Sequence, residues 1–219
     1  MRLIVRNIHK YLSFFISVQL LLWTVSGIYF AFNKIELVRG EQYRLTNFSN
    51  IDLKEIDFKI PKTSNIEIKK RLDETIIILS SDEDTTYLNL DGAPLGKISS
   101  EMALLIVKEN TTLTPLEAEE ITSPKKGSEY RGRTLPLYKV VSKNEKDKLI
   151  NVYLNIYSGE VTAIRSMQWK IWDVMWGFHI MDWRERDNID NLLLKIFSIL
   201  ALVSSITGIL LFFRIDFKK

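Results

Sequence analysis

Two long uncharged apolar runs, one near each end, constrain this sequence more than anything between them. Tyr11 to Phe32 holds 22 residues without Asp, Glu, Lys or Arg. At about 1.5 Å per residue a helix of that length crosses a hydrocarbon core of about 30 Å. A cleavable signal would be shorter and would close on small residues, whereas this run closes on Tyr29-Phe30-Ala31-Phe32-Asn33, so an uncleaved anchor is expected. The second run, Leu192 to Phe213, is uncharged from Ile196 onward, and Lys195 lies close enough to its start to snorkel toward headgroups.

Arg2, Arg6 and Lys10 precede the first run, and Arg214, Lys218 and Lys219 follow the second. The bias of basic residues toward the cytoplasm places both termini there and the segment between the runs on the far side of the membrane. The expected order is a cytoplasmic N-terminus (1–10), a first span (11–32), a linker with a first, weaker folded unit (33–98), a second unit (99–167), a tryptophan-rich interfacial helix (168–190), a second span (191–213) and a cytoplasmic tail (214–219).

Composition narrows the function. With 46% apolar residues the chain is too hydrophobic for a disordered protein, and with 26% charged residues too charged for a polytopic transporter. The absence of cysteine removes disulfides, thiol redox chemistry and thiolate metal sites. The net charge of +3 is spread along the chain and gives no nucleic-acid surface, so the expected partners are the lipid bilayer and another membrane or periplasmic protein, a homodimer included.

All five tryptophans lie in or beside the apolar runs, as an interfacial belt would place them. Trp169, Trp172, Trp176, Ile180 and Trp183 are spaced as one face of a helix, so Gln168 to about Trp183 reads as an amphipathic helix on the outer leaflet and a candidate docking surface. Ser26-Gly27 and Thr207-Gly208 are small pairs, one in each span, of the kind that lets helix backbones approach. Because the chain reverses direction between the spans, the two pairs are not expected to meet.

The two histidines are His9, just before the first run, and His179, in the tryptophan-rich helix. A histidine in each of two membrane-associated helices raises bis-histidine haem or metal ligation. The topology puts the two at opposite faces, about 30 Å apart, farther than one haem bridges, so ligation requires a partner's histidine. The alternative is an interfacial histidine bonded to backbone, lipid or Asp182.

Between the runs the reading is α+β. Asn33 to Ser64 reads as a linker with a short strand at Ile56–Ile60; Thr75–Leu79 and Thr85–Leu90 form a hairpin across Ser81–Asp84, and a short extended piece ends near Ile98. Ser99 or Ser100 caps a helix with Met102, Leu105 and Ile106 on its apolar face. A loop rich in Thr, Pro, Lys and Gly follows, then strands at 135–142, 149–156 and 161–164. Tyr87-Leu88-Asn89-Leu90-Asp91-Gly92 parallels Tyr153-Leu154-Asn155-Ile156-Tyr157-Ser158-Gly159, as two related units in tandem would.

Leu135-Pro136-Leu137-Tyr138-Lys139-Val140, Val152-Tyr153-Leu154-Asn155 and Ser158-Gly159-Glu160-Val161 resemble the closing motifs of the PepSY family. The likeness extends to its membrane-anchored members, through Arg6-Asn7-Ile8-His9-Lys10-Tyr11-Leu12 before the first span, Phe178-His179-Ile180-Met181-Asp182 before the second, and Thr207-Gly208-Ile209 within it. It covers both anchors and residues 99–165 well, and 40–98 weakly. It implies an antiparallel PepSY-like sheet with a helix, as one unit or two, between two transmembrane helices in a bacterial inner membrane, with the domain in the periplasm. Members of the family are linked to peptidase inhibition and to iron uptake or ferric reduction, the latter through histidine-bound haem; this chain departs from those reductases in having two spans and two histidines.

There is no glycine-rich phosphate loop, His-Glu-x-x-His, nucleophile elbow or cysteine, and the acidic groups at 82–84 and 117–120 read as solvated faces. The leading expectation is therefore a non-enzymatic accessory subunit without a cofactor, whose domain binds or regulates another protein. A haem- or iron-linked electron-transfer subunit using His9 and His179 with partner ligands is the alternative. Peptidase inhibition through an exposed face around Tyr138, Tyr153 and Tyr157 is a third reading.

Overall fold

The computed structural model describes residues 2–45, 65–81 and 84–213. The expected strand at Ile56–Ile60, the tip of the turn at 81–84 and the tail from 214 lie outside the described residues. The chain divides into two compact units. One comprises Met1–Ile35, Lys126–Ser128 and Lys170–Lys219, the other Glu36–Lys125 and Glu129–Trp169.

In the first unit, α1 (Arg2–Phe32) and α5 (Leu192–Phe212) are the two apolar helices. Both are long and apolar enough to cross a membrane, and only 17% and 6% of their most apolar windows are buried within the chain. A soluble core helix would be covered by its own protein; these two leave large side chains such as Phe14, Val18, Ile199 and Phe212 uncovered. The pair runs antiparallel: Ser13 Oγ lies 2.7 Å from Ser204 Oγ, and Phe15 stacks on Phe197 with centroids 5.8 Å apart. Asn191 caps α5 by accepting the Leu194 N–H, and Lys195 forms an ion pair with Asp190.

The α+β unit begins with the short α2 (Ile35–Val38) and a 3₁₀ turn at Glu41–Tyr43. Strands β1 (Asn65–Arg71), β2 (Glu74–Ser80) and β3 (Thr85–Leu88) form an antiparallel sheet in that order. The chain then turns through Gly92 at φ +80°, and Pro94 makes an isolated bridge back to Leu88. Next come α3 (Ser100–Asn110) and the antiparallel sheet β4 (Thr114–Ile121), β5 (Leu137–Lys143), β6 (Leu149–Asn155), β7 (Val161–Arg165).

Ser99 caps α3, its Oγ accepting the Met102 N–H at 3.2 Å. Ala103, Ile106 and Val107 are the residues that helix buries, while Leu105 of the expected apolar face is 52% exposed. Those three pack with Val140, Val152, Leu154, Ile156 and Ile164 to make the main core. Each large aliphatic side chain so buried contributes about 1.5–3 kcal/mol.

Two strands were not expected. β1 is rich in charge, and β4 lies where a loop was predicted, because as an edge strand its side chains are mostly exposed and show no alternation. Glu117, Glu119 and Glu120 stand on that edge, with Glu120 paired to Lys97 at 2.6 Å, and charge there discourages further strand pairing.

The internal match has a structural counterpart. Asn89 Oδ1 accepts the Asp91 and Ala93 N–H groups, and Asn155 Oδ1 accepts those of Tyr157 and Ser158. In both turns a glycine N–H, of Gly92 and Gly159, donates back to the asparagine carbonyl. Each asparagine thus ends a strand by occupying backbone donors that a ladder would otherwise use. The parallel extends to three named strands and a bridge in the first sheet against four strands in the second.

Candidate functional sites: two histidines with one nitrogen each

His9 and His179 both lie in the first unit, on different helices. The His9 ring lies against Gly208 of α5; a Cβ there would come within 3.0 Å of its Cε1. Its Nδ1 is 3.1 Å from both the Ser204 carbonyl oxygen and Thr207 Oγ1. A carbonyl only accepts, and Thr207 already donates its hydroxyl proton to the Val203 and Ser204 carbonyls, so the proton of neutral His9 belongs on Nδ1. The lone pair is then on Nε2, which makes no hydrogen bond with the described residues.

His179 reaches the same state from different neighbours. Its Nδ1 lies 2.8 Å from Ser26 Oγ, and with the Ser26 proton directed to the Trp23 carbonyl, 3.1 Å away, the imidazole is the donor. Nε2 is again without a hydrogen bond to the described residues. Phe30 stands edge-on at 5.6 Å and Trp176 lies nearly parallel to the imidazole at 6.4 Å, with Trp172 stacked on Trp176.

What fixes His179 is the way α4 (Met167–His179) ends against α1. The last carbonyls of a helix lack partners within it, and inside an apolar environment each must find a donor. Gln19 Nε2 donates to the Phe178 carbonyl, Trp23 Nε1 to that of His179, and Asn191 Nδ2 to that of Ile180. The chain leaves through Met181 at φ +57°, and the Asp182 N–H returns to the Gly177 carbonyl, the bond that closes a Schellman ending.

Beyond it Asp182 accepts the N–H groups of Glu185, Asp187 and Asn188. Partial burial alone would raise its carboxyl, but those donors outweigh it and hold the group below its ordinary value. Arg186 fastens the turn to α4 through buried Asp173 at 2.6 Å, its stem lying over Gly177 where a Cβ would come within 2.7 Å.

The expected tryptophan face is therefore corrected. The helix stops at His179, so Trp183 lies beyond it and is 52% exposed. Trp169 is buried in the α+β unit beneath the guanidinium of Arg165 at 4.4 Å, with that of Arg131 at 5.5 Å. Burial, with Arg133 and Arg131 nearby, lowers Arg165 to about 10, which leaves it charged at neutral pH. Of that face Trp176 stands beside His179, with Trp172 stacked on Trp176.

The expected tyrosine face is corrected as well. Tyr138 and Tyr153 are 8% and 2% exposed: Tyr138 joins the main core, and Tyr153, on the face of β6 opposite Val152 and Leu154, is covered by Glu129 and Tyr130. Tyr138 donates to the Ile98 carbonyl, and Tyr153 donates to Glu129 Oε2 at 2.9 Å, beside Asn151 at 2.7 Å. Burial first, then the Glu129 carboxylate, pushes the Tyr153 phenol well above its ordinary value. Tyr157 is partly exposed and stacks on Tyr87 at 5.2 Å. The same unit holds a polar cleft of about 510 Å³, bordered by Tyr43, Thr112, Asn144, Lys146, Lys148 and Met167.

Ser13, Gln19 and Ser204 are the site residues that sequence reasoning passed over, and Ser26 was read there only as half of a small pair. His9, Ser13, Ile16, Gln19, Trp23 and Ser26 follow one another at spacings of three or four on α1, and a polar stripe in an apolar helix is a readable signal of a packed face. The glycines of the two small pairs do not meet: Gly208 meets His9, and nothing lies within 4 Å of the position a Cβ would take on Gly27.

A metal-binding imidazole holds its other ring nitrogen in a hydrogen bond, and both histidines meet that condition. Phe30, Trp172 and Trp176 make the surroundings of His179 apolar, as a haem site requires. Each site supplies one nitrogen, and among the described residues no three His, Cys, Asp or Glu side chains gather as a metal-holding group. No family profile, curated protein or solved structure matches the chain.

Proposed function

We propose that this chain is a two-span subunit of a membrane-bound electron-transfer complex, of PepSY type, in which His9 and His179 would each hold a haem through one ring nitrogen and another chain would supply the second. The observation that carries the reading is that each ring holds Nδ1 in a hydrogen bond while its Nε2 makes none with the described residues. A haem held there supplies one-electron chemistry. The chain's own part is to fix tautomer and ring plane: Ser204, Thr207 and Gly208 for His9, Ser26, Phe30 and Trp176 for His179. The basic residues outside both spans favour cytoplasmic termini and a periplasmic α+β unit, which serves as a non-catalytic module binding another protein.

The test is the visible spectrum of the full-length protein in mild detergent, as isolated and after adding hemin. A reducible Soret band that falls in His9→Ala and in His179→Ala supports the reading. A protein that stays colourless with hemin refutes it.

A second reading, the accessory subunit without haem, draws on the same bonds, since His9 already ties α1 to α5 through Ser204 and Thr207. It expects a colourless protein that co-purifies with a stoichiometric membrane partner. Peptidase inhibition would have to use Tyr157 or another face of the module, because Tyr138 and Tyr153 are buried.

A further inference from the structure

Resting on that reading, we infer that the missing ligand at each histidine is the same histidine of a second copy of this chain, so that one parallel two-fold dimer completes both sites together. Each site is incomplete alone: one Nε2 is offered at His9, one at His179, and the chain holds no other histidine. His9 and Ser26, the partner of His179, are seventeen positions apart on α1, which sets the two sites about 25 Å apart along it.

An unrelated partner would have to offer two ligands at two matching depths. A two-fold axis along the membrane normal does both at once, because it brings each residue to its own counterpart at its own depth. An axis in the membrane plane would instead set His9 against the partner copy's equivalent of His179. It would also invert one copy, which the basic residues at both ends of the chain oppose equally in every copy. Two helices as sparsely buried as α1 and α5 do not enclose a porphyrin, whereas two such pairs make four helices, the arrangement in which cofactor sites form between facing side chains.

The experiment uses full-length chains carrying two different tags, one wild type and one His9→Ala/His179→Ala, co-expressed and purified through both tags in succession. Wild-type dimers are expected to hold two haems per two chains, both six-coordinate and low-spin. The mixed dimer offers one imidazole per site and is expected to show five-coordinate, high-spin haem at both. The double variant alone is expected to be colourless, and His9→Gln/His179→Gln repeats the series with a side chain that keeps a hydrogen-bonding group. A monomer with low-spin haem, or no doubly tagged species, overturns the dimer and leaves the haem reading standing. A dimer that takes up no hemin overturns the haem reading and this inference with it.

Discussion

Gly159→Ala tests whether the turn after β6 is held by packing as well as by backbone geometry. Gly159 has φ +69°, and a Cβ there would lie 2.6 Å from Cδ1 of Ile106, a core residue only 1% exposed. The left-handed conformation costs a residue with a Cβ roughly 1–2 kcal/mol, and forcing a methyl into a filled core costs roughly 1–3 kcal/mol more. The expected loss is therefore about 2–5 kcal/mol. Gly132→Ala is the internal control, because Gly132 has φ +71° and nothing within 4 Å of its absent Cβ, so only the backbone cost of about 1–2 kcal/mol applies. Hydrogen exchange of the full-length protein in detergent, followed on peptides from α3, β6 and β7, reads the difference. At about 1.4 kcal/mol per tenfold, those amides should exchange roughly 5- to 150-fold faster in Gly159→Ala than in Gly132→Ala. Equal exchange in the two variants would refute the packing argument.

Ser26→Ala leaves the Nδ1–H of His179 without its acceptor, which costs about 1–3 kcal/mol and removes the bias toward the Nδ1–H tautomer. Nitrogen NMR of labelled histidine should then show Nε2 protonated in part of the population, and an unchanged tautomer would count against the assignment. Gly208→Val pushes His9 off α5, and hemin uptake is expected to drop at the His9 site while the His179 site keeps its own. Tyr153→Phe removes one donor from the Glu129 carboxylate, leaving that of Asn151, and should lower stability by about 1–3 kcal/mol in thermal unfolding, with a null effect counting against that contact.

The Asp182 carboxylate has a folded value below its unfolded one, so the stability it lends is present above its unfolded value and lost as pH falls through the folded one. Amide exchange at Glu185, Asp187 and Asn188 should be slow at pH 7 and accelerate only in acid below about pH 4, once its intrinsic pH dependence is removed. Asp182→Asn should already be fast at pH 7.

Local sequence determined the elements whose signals are local. Uninterrupted apolar length makes α1 and α5, since a helix satisfies its own backbone and needs only apolar side chains to stand in lipid. Ser99 starts α3, short runs rich in β-branched and apolar residues mark β2, β5 and β6, and Asn155 with Gly159 ends a strand, each by a preference acting over a few residues. The candidate histidines were legible too, because two histidines beside apolar runs are conspicuous.

Tertiary structure decided the rest. β4 is a strand only because β5 pairs with it, as its own side chains carry no period. Trp169 and Trp183, on one face of an idealised helix, part company because Arg165 and Arg131 cover the first and the helix stops before the second. Tyr138 turns into the core, and Tyr153 is buried on the opposite face of the sheet by Glu129 and Tyr130. The state of each histidine was beyond the sequence for the same reason. Which ring nitrogen keeps the proton depends on an acceptor that lies far away in the chain, Ser204 for His9 and Ser26 for His179, and only folding brings the two together.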